Sequence, residues 1–328
     1  MADSIFDSTL FEPATSAGED LEYVVAFSEF IALSTPREER QVGEHVIPAQ
    51  PPNWSEVLKS GCSLLEKSRD LRILIKVCQA ALHKYGLPGL AQGLALMARW
   101  IENDWDHLYP QVETDGVYDP LFRCNAILEM ADRGGLVLAL WQAPFLETSI
   151  GTVTMFAAEQ ALEGIQEEGS LVSSADQLSL MLVAEKDRNQ DRLDAVSSIS
   201  SSLASISSTF KARLEPEYRP DIDPLAKTVT RLERFVAEQL QEQEQQEQPS
   251  LDQTPGHENM GAAPKTPMTL PSALNSRTDA CKALTLAREY FERHEPSHPA
   301  PLLIRRIERL CGSDFLAIIQ ELMPEAAN

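Results

Sequence analysis

Apolar residues recur at every third or fourth position through much of the chain, and this spacing restricts it to a helical fold. The longest stripe begins at Leu90 and ends at Leu108, a length of about five helical turns. Shorter stripes occupy residues 54–65 and 71–82. Residues three and four apart lie on one face of a helix, whereas a strand alternates between two faces. Only residues 152–155 have a strand-like pattern, so the sequence predicts an all-α protein.

Turn and capping residues separate these stripes at positions typical of helix ends. Ser68-Arg69-Asp70 precedes one stripe, and the segment 86–89 closes that helix and opens the next. Pro110 ends the long stripe because proline cannot continue a helix. Asp119-Pro120 then begins a further helix. We therefore predict one helical domain over residues 1–165.

The charge of the chain excludes two classes of partner. Its 28 basic residues face 50 acidic ones, which gives a net charge of −22 over 328 residues. Nucleic-acid binding depends on neutralising phosphates with Lys and Arg, and anionic membrane surfaces attract the same side chains. No apolar run approaches the ~18 residues that indicate a membrane-spanning helix. We therefore predict no nucleic-acid binding and no membrane insertion.

The cysteines and the first residues favour the cytoplasm. The five cysteines form no CxxC pair, which is typical of free thiols in a reducing compartment. The start of the chain is acidic and lacks the basic segment and apolar core of a signal peptide. The expected location is therefore cytoplasmic.

The middle of the chain, residues 175–243, has two apolar seams with the spacing of a coiled coil. Pro216, Pro220 and Pro224 mark a turn between them. The sequence therefore predicts a helical hairpin, and it leaves open whether the seams pair within one chain or between two copies. The seam residues are Val196, Ile199, Leu203, Ile206 and Phe210 in the first helix and Leu225, Val229, Leu232 and Val236 in the second.

A low-complexity segment separates this hairpin from the end of the chain. Residues 244–275 are rich in Gln and Pro and have no apolar periodicity, so they bury too little surface to offset the entropy of ordering. We predict a flexible linker with an r.m.s. span of about 30–35 Å. Residues 276–328 follow as a helical module that is small for a self-sufficient core. Oligomerisation is the usual remedy without disulfides or metals, and we predict it here.

No catalytic motif is present in the sequence. It lacks a Walker loop, a nucleophile elbow, an HExxH pair and a dinucleotide-binding glycine motif. The best metal-like cluster is Asp104, Asp106 and His107, but residues two apart do not share a helix face, which favours a solvated surface. We therefore predict a protein that is not an enzyme and needs no cofactor or metal.

The tryptophans leave two interpretations open. All four fall within residues 1–165, as Trp54, Trp100, Trp105 and Trp141. Core packing is the simpler interpretation. A groove for a partner is the alternative, because tryptophan is favoured at interface anchors.

Two stretches of the chain resemble one protein family. The first includes SAGEDLEY (16–23), VIPAQPPNW (46–54), SRDLR (68–72) and GLPGL (86–90), and it continues from Trp100 to Pro110. The second is YFERHEPSHPAPLLIRRIERL (290–310). In order and content they resemble the ImpA N-terminal domain and the C-terminal signature of the TssA family of the bacterial type VI secretion system. The length resembles the shorter, baseplate-associated kind.

The resemblance implies a non-enzymatic scaffold that helps baseplate assembly and the priming of the tail tube and sheath. It implies a ring formed by the C-terminus and related to the six-fold symmetry of the tail, with baseplate, tube and sheath proteins as partners. For ring packing we select Tyr290, Phe291, Pro296, Pro299, Leu303, Ile307 and Leu310. For the partner surface of the N-terminal domain we select Asp20, Trp54, Arg69 and Asp70.

Two other classes of function stay open at this point. One is a monomeric or dimeric helical adaptor of the cytosol, chaperone-like, that would dimerise through the seams of residues 176–243. The other is an enzyme, which would need a closed pocket around Asp104, Asp106 and His107.

Overall fold

The structure is a computed structural model that describes most of the first 247 residues. The described residues are 4–42, 45–114, 116–165 and 169–247, together with 284–285, 287–288, 293 and 303–305. The chain divides into two compact units, Met1–Leu251 and Asp252–Asn328.

Helices make up most of the described residues, as predicted, and short strands join some of them. Short 3₁₀ turns lie at Ser8–Phe11, Trp105–His107, Glu129–Ala131 and Pro216–Tyr218. The elements in chain order are α1 (Val25–Ser34), β1 (Arg40–Val42), β2 (His45–Ile47), α2 (Trp54–Leu65), α3 (Leu71–Tyr85), α4 (Leu87–Asn103), β3 (Glu113–Thr114), β4 (Val117–Tyr118), α5 (Leu121–Leu128), α6 (Leu136–Gln142), β5 (Pro144–Thr148), β6 (Gly151–Thr154), α7 (Met155–Glu163), α8 (Ala175–Ala184), α9 (Lys186–Arg213) and α10 (Asp223–Glu247).

Two predicted helix boundaries, at Asp70 and at Gly86, lie where the capping residues put them. Asp70 precedes α3, and its carboxylate accepts a hydrogen bond of 2.8 Å from the backbone N–H of Arg72. Gly86 ends α3 with a φ of 68° and immediately precedes α4, whose first turn contains Pro88. A positive φ is the usual end of a helix at glycine, and proline fits the first turn because its missing N–H has no partner there.

Helices α3 and α4 approach each other closely through glycine. A Cβ added to Gly89 would overlap the backbone carbonyl of Ala81, and one added to Gly93 would overlap the sulfur of Cys78. The absence of side chains at these two positions therefore sets the distance between the helices. Cys78 is fully buried, and burial raises the pKa of its thiol well above the ordinary value. Such a thiol is an inert part of the core.

Helix α9 packs along α4 and against α10, so the seams that the sequence left unassigned pair within one chain. All nine predicted seam residues are buried. They belong to the same apolar core as the residues of α3 and α4. The two regions that were separated by sequence, 1–165 and 175–243, therefore share one core inside the first compact unit.

Buried polar side chains attach α9 and α10 to their neighbours. The amide of Asn189 accepts a hydrogen bond of 2.8 Å from the backbone N–H of Glu147 in β5 and donates one of 3.0 Å to its carbonyl. In this way a fully buried asparagine on α9 provides hydrogen-bond partners for the backbone N–H and carbonyl of a residue in β5. On α10, the hydroxyl of Thr228 donates to Glu159 at 2.8 Å and accepts from the indole of Trp141 at 3.3 Å.

The strands are more numerous than the sequence predicted. Three antiparallel pairs occur in the described residues, β1–β2, β3–β4 and β5–β6. The strand-like segment 152–155 corresponds to β6 and the first residue of α7. The other strands are two to five residues long, too short to show a period of two in the sequence.

Two helices end at other residues than predicted. The stripe from Leu90 to Leu108 leaves the helix after Asn103 because Asp104 has non-helical backbone angles (φ −118°, ψ 26°). Trp105 and Leu108 are nevertheless buried. In addition, α10 continues to Glu247, beyond the start of the predicted linker at residue 244. Gln and Glu are good helix formers, so this polar sequence continues the helix.

Little of the second unit is described. Residues 284–285, 287–288, 293 and 303–305 are all helical. Six of the seven residues selected for ring packing lie outside the described residues, and so does the predicted linker after residue 247. Across the parts of the chain that are described, no helix is both long and apolar enough to cross a membrane.

We expect Gly89→Ala to lower the free energy of unfolding by about 1–3 kcal/mol, because the methyl group would push α3 away from α4. Alanine normally favours a helix over glycine, so the sign of the change tests the close contact. Gly134→Ala, in the turn before α6, is the control for an added methyl group without a close contact, since a Cβ there comes no closer than 3.8 Å to another atom. Urea unfolding of both variants measures the difference, and a Gly89→Ala protein as stable as the wild type would contradict this packing.

Candidate functional site

The segment SRDLR (68–72) and the residue before it form backbone hydrogen bonds with two other parts of the chain, residues 17–19 and Tyr109. The N–H of Arg69 donates to the carbonyl of Ala17 at 2.8 Å, and the N–H of Glu19 donates to the carbonyl of Lys67 at 3.0 Å. On the other side, the N–H of Tyr109 donates to Arg69 at 2.9 Å. Three of the motifs that carry the family resemblance therefore meet at one place.

The side chain of Arg69 joins the N-terminal segment to the end of α4. Its guanidinium forms an ion pair with the carboxylate of Asp104 and donates to the carbonyl of Glu12 at 2.7 Å. It also lies 5.3 Å from the ring centroid of Trp100. The other oxygen of Asp104 accepts from the N–H of Ala14 at 2.9 Å. Asp104 is buried and Arg69 is largely so, which makes this pair a structural connection.

Asp70 forms a second ion pair beside the first. It is fully buried, caps α3 and binds the guanidinium of Arg72, with 2.7 Å between the closest atoms. Arg72 also reaches Glu22 at 3.4 Å and lies over the ring of Phe27. Burial alone would lower the pKa of Arg72, but the carboxylates of Asp70 and Glu22 raise it above its ordinary value.

Two residues selected for the partner surface are thus occupied by contacts inside the chain, and a third lies beside them at the surface. Arg69 and Asp70 bind neighbouring side chains, whereas Asp20 is exposed. Asp20 precedes a turn in which Tyr23 is 91% exposed, and Val25, the first residue of α1, is 69% exposed. The exposed part of this region is therefore the turn after Asp20, whereas Arg69 and Asp70 are held by contacts inside the chain.

Trp54 lies at a different place from the other three selected residues. Its ring stacks on His83 with 4.2 Å between the ring centroids. His83 is in the last turn of α3 and Asp70 precedes the first, so Trp54 is roughly 20 Å from Asp70 along the helix. A groove of about 310 Å³ beside it is lined by prolines, among them Pro51 and Pro52. Burial lowers the pKa of His83.

The tryptophans divide between the two interpretations. Trp100 and Trp105 are buried in the core, and the indole of Trp100 donates to the carbonyl of Leu10 at 2.7 Å. Trp54 and Trp141 are half-buried. Among the described residues, Trp54 borders a groove and fits the partner interpretation.

A further cleft was missed by the sequence analysis. It has a volume of about 490 Å³ and is lined by Trp105, Arg123 and Arg213, among others. Arg123 is fully buried, although it lies between the apolar residues of α5. The sequence did not indicate that this arginine is buried, because long cationic side chains usually reach solvent.

The metal-like cluster does not form a site. Asp104 is paired with Arg69, while Asp106 is exposed on the following 3₁₀ turn. Within the ranges that the structure describes, no group of three or more His, Cys, Asp or Glu side chains could hold a metal ion. Of the residues selected for ring packing, Leu303 alone is described, and it is 61% exposed.

We expect Asp104→Asn to lower the free energy of unfolding by about 2–3 kcal/mol, because it leaves the guanidinium of Arg69 buried without its carboxylate. The N-terminal segment should also become more sensitive to proteases, which cleave locally unfolded chain. Limited proteolysis with mass spectrometry measures the cleavage before residue 24.

Asp187→Asn is the matched control for this prediction, since Asp187 is an exposed aspartate on α9, away from the Arg69 pair. We expect its stability to stay within about 0.5 kcal/mol of the wild type. Equal proteolysis of the two variants would show that the Asp104 pair does not hold the N-terminal segment.

Comparison with known proteins gives a family match by sequence and a similar fold by structure. A family model described as ImpA, N-terminal, type VI secretion system, matches residues 10–132. The fold is similar to the N-terminal domain, including the conserved ImpA_N region, of the TssA component of the type VI secretion system from Burkholderia cenocepacia. That match has a TM-score of 0.50 and 18% identity, and it covers 71% of this chain and 93% of that one. At this identity it shows the fold alone.

A curated relative extends the similarity to nearly the whole chain. The type VI secretion system component TssA1 of Pseudomonas aeruginosa is 30% identical over 324 residues. The alignment covers 96% of this chain and 93% of TssA1, so it includes regions outside the ImpA match. The family predicted from the sequence motifs is therefore confirmed, and the chain belongs to the TssA family of type VI secretion system components.

Proposed function

We propose that this protein is a non-enzymatic, cytoplasmic scaffold of the type VI secretion system, of the shorter, baseplate-associated kind. It forms a ring through its C-terminal module and helps to assemble the baseplate and to prime the tail tube and sheath. The observation that carries the proposal is the similarity to TssA1 along 96% of the chain. A match limited to the first unit would relate only that unit, and not the C-terminal module, to the secretion apparatus.

The C-terminal module is the part that joins the subunits in this proposal. Its short length supports the need for partners, because a small core is stabilised by contacts with copies of itself. Leu303 is 61% exposed in the single chain, as a residue that packs against a neighbouring subunit would be. Closed symmetry limits the number of copies, and a ring related to six-fold symmetry would match the tail.

A ring binds its partners more strongly than a single copy does, because every copy contributes its own first unit. Each copy displays the same compact helical body, Met1–Leu251. Once one copy has bound a baseplate, tube or sheath protein, the next contact is intramolecular and has a high effective concentration. Weak contacts at an exposed turn or groove then suffice for firm capture.

The burial of the seam in α9 argues against the adaptor alternative. An adaptor that dimerises through residues 176–243 needs this face at its surface, but the nine seam residues are buried against α4 and within the α9–α10 pair. The first unit therefore does not offer that dimer interface.

Removal of residues 252–328 should convert a multi-subunit particle into a monomer. The remaining unit has its own core, so it should stay folded. Sedimentation equilibrium of the full-length and truncated proteins measures both masses, and circular dichroism checks the fold of the truncated form. Identical subunit numbers in the two proteins would contradict ring formation by the C-terminus.

A single substitution tests the same proposal without removing any chain. We expect Leu303→Asp to weaken self-association at least about tenfold, because it places a charge in an apolar contact between subunits. Leu180→Asp is the matched control, since Leu180 is 73% exposed on α8 of the first unit. Particle mass at several protein concentrations distinguishes the two, and an unchanged mass for Leu303→Asp would remove Leu303 from the interface.

In cells, the Leu303→Asp protein should fail to support sheath assembly in a strain that lacks its own TssA, whereas the Leu180→Asp protein should restore it. Fluorescent sheath counted per cell measures this effect. A Leu303→Asp protein that forms no ring but restores sheath assembly would separate the secretion role from self-association.

A further inference from the structure

The 490 Å³ cleft of the first unit is built around one tryptophan ring and two arginines. The guanidinium carbon of Arg123 lies 4.8 Å from the ring centroid of Trp105, and that of Arg213 lies 5.3 Å from it. Phe210 meets the same ring edge-on at 5.1 Å. Residues from the end of α9, from α5 and from the segment after α4 therefore form one rigid cationic and aromatic wall.

Arg123 carries its charge inside the protein without a carboxylate in contact. It donates to the carbonyls of Pro110 at 2.8 Å, Trp105 at 2.7 Å and Leu108 at 2.6 Å. In the described part of the chain it forms no ion pair. Burial lowers its pKa to about 10, and Asp106 partly opposes this effect, so the side chain is a cation at neutral pH. A buried charge of this kind is stabilised by an opposite charge close to it.

Arg213 is the accessible member of the pair. It is exposed at the end of α9, and its contact with the Trp105 ring is its one polar or cation–π interaction among the described residues. Its guanidinium donors therefore point to no acceptor in this part of the chain. A planar guanidinium that is held against an aromatic ring is well suited to bind a carboxylate through two hydrogen bonds.

The mouth of the cleft limits the charge of its ligand. Asp106 and Glu113 also line it, and the whole chain has a net charge of −22. A phosphate group or a polyanion would be repelled by these carboxylates. A single carboxylate can approach the exposed Arg213 with a smaller penalty, because it carries one charge.

The chain next to the cleft is apolar and exposed. Tyr118, which lines the cleft, is 56% exposed, and Val117, Leu121 and Phe122 are 66%, 49% and 66% exposed. Clusters of exposed apolar side chains mark surfaces that bind other proteins. A ligand that combines a carboxylate with apolar neighbours would match both the cationic wall and this segment.

We propose that the cleft of Trp105, Arg123 and Arg213 docks a partner protein through an acidic side chain flanked by apolar residues. The inference rests on the proposed scaffold function, in which the first unit binds other components of the apparatus. The carboxylate binds the exposed guanidinium of Arg213, the charge of the buried Arg123 adds to the attraction, and the apolar neighbours of the carboxylate cover the segment 117–122. The contact is electrostatic at its centre and is weakened by salt.

A ligand-observed NMR titration of the full-length protein tests the proposal. The probe is the peptide acetyl-Phe-Asp-Leu-amide, and the control peptide replaces its Asp with Asn. We expect the acidic peptide to bind with a Kd on the order of 1 mM and the Asn peptide to bind at least about tenfold more weakly, since it lacks the charge. Equal binding of both peptides, or no binding of the acidic one at about 10 mM, overturns the proposal.

Arg213→Gln is the informative variant because its side chain is exposed and its loss leaves the core intact. We expect it to weaken binding of the acidic peptide about tenfold, which is a typical effect of losing one charged partner. Lys211→Gln is the matched control, since Lys211 is exposed two residues earlier and does not line the cleft. Equal affinity of the two variants overturns the role of Arg213.

The particle mass of Arg213→Gln separates this inference from the ring proposal. We expect the wild-type mass together with lost peptide binding. Wild-type peptide binding by a full-length protein that proves monomeric would support the cleft while refuting the ring. Loss of both properties in Arg213→Gln would refute an independent docking role for the cleft.

Discussion

The burial of α4 on several sides is the constraint on which the rest of the first unit depends. Eleven of its 17 residues are buried, more than a single neighbouring helix can cover. Helix α3 covers one side at the close contact of Gly89, and α9 covers another along most of its length. The N-terminal segment completes the cover through the hydrogen bond between Leu10 and Trp100. A helix that is apolar on most of its surface must lie in the interior, so α9 and the N-terminal segment belong to its domain.

Buried charges hold the irregular segments that surround this helical core. Where α4 ends, the chain runs through a 3₁₀ turn and extended residues whose carbonyls have few backbone partners. Arg123 satisfies three of these carbonyls, and the pair of Arg69 and Asp104 anchors the N-terminal segment nearby. Buried backbone groups need partners, and arginine provides several donors in one plane. The ring of Trp105 has cation–π contacts with Arg123 and with the exposed Arg213 of α9, and these three residues line the cleft.

The described surface of the first unit offers contact areas of modest size, and this suits the proposed scaffold, which would act by repetition. Its grooves are open and modest in size, at about 490 and 310 Å³, and its exposed apolar side chains occur in short segments such as the turn at Tyr23. Contacts of this size bind weakly when they act alone. In the proposed ring they act together, so that the geometry of the assembly determines affinity more than any single residue does.

Local residues were enough to predict helices α2, α3 and α4 and the ends at Asp70 and Gly86. The spacing of apolar residues, the cap at Asp70 and the glycine at Gly86 are signals within a few positions of one another, and they depend on backbone geometry that neighbours alone dictate. The end of α4 at Asn103 was missed because Asp104 leaves the helix to bind Arg69 and Ala14, which are distant in sequence. The length of α10 was underestimated because a polar sequence without periodicity can still have high helix propensity.

The sequence by itself determined the helical class and the family, and it predicts a small C-terminal module apart from the rest. Only the tertiary structure decided that the α9 seam faces α4 in the same chain, that Asp70 and Arg69 are structural, and that Arg123 lies buried beside Trp105. From the sequence one can tell that an apolar face must be covered, but not by which segment. One can likewise tell the charge of a side chain, but not whether it is buried. Both are set by segments that meet only when the chain is folded.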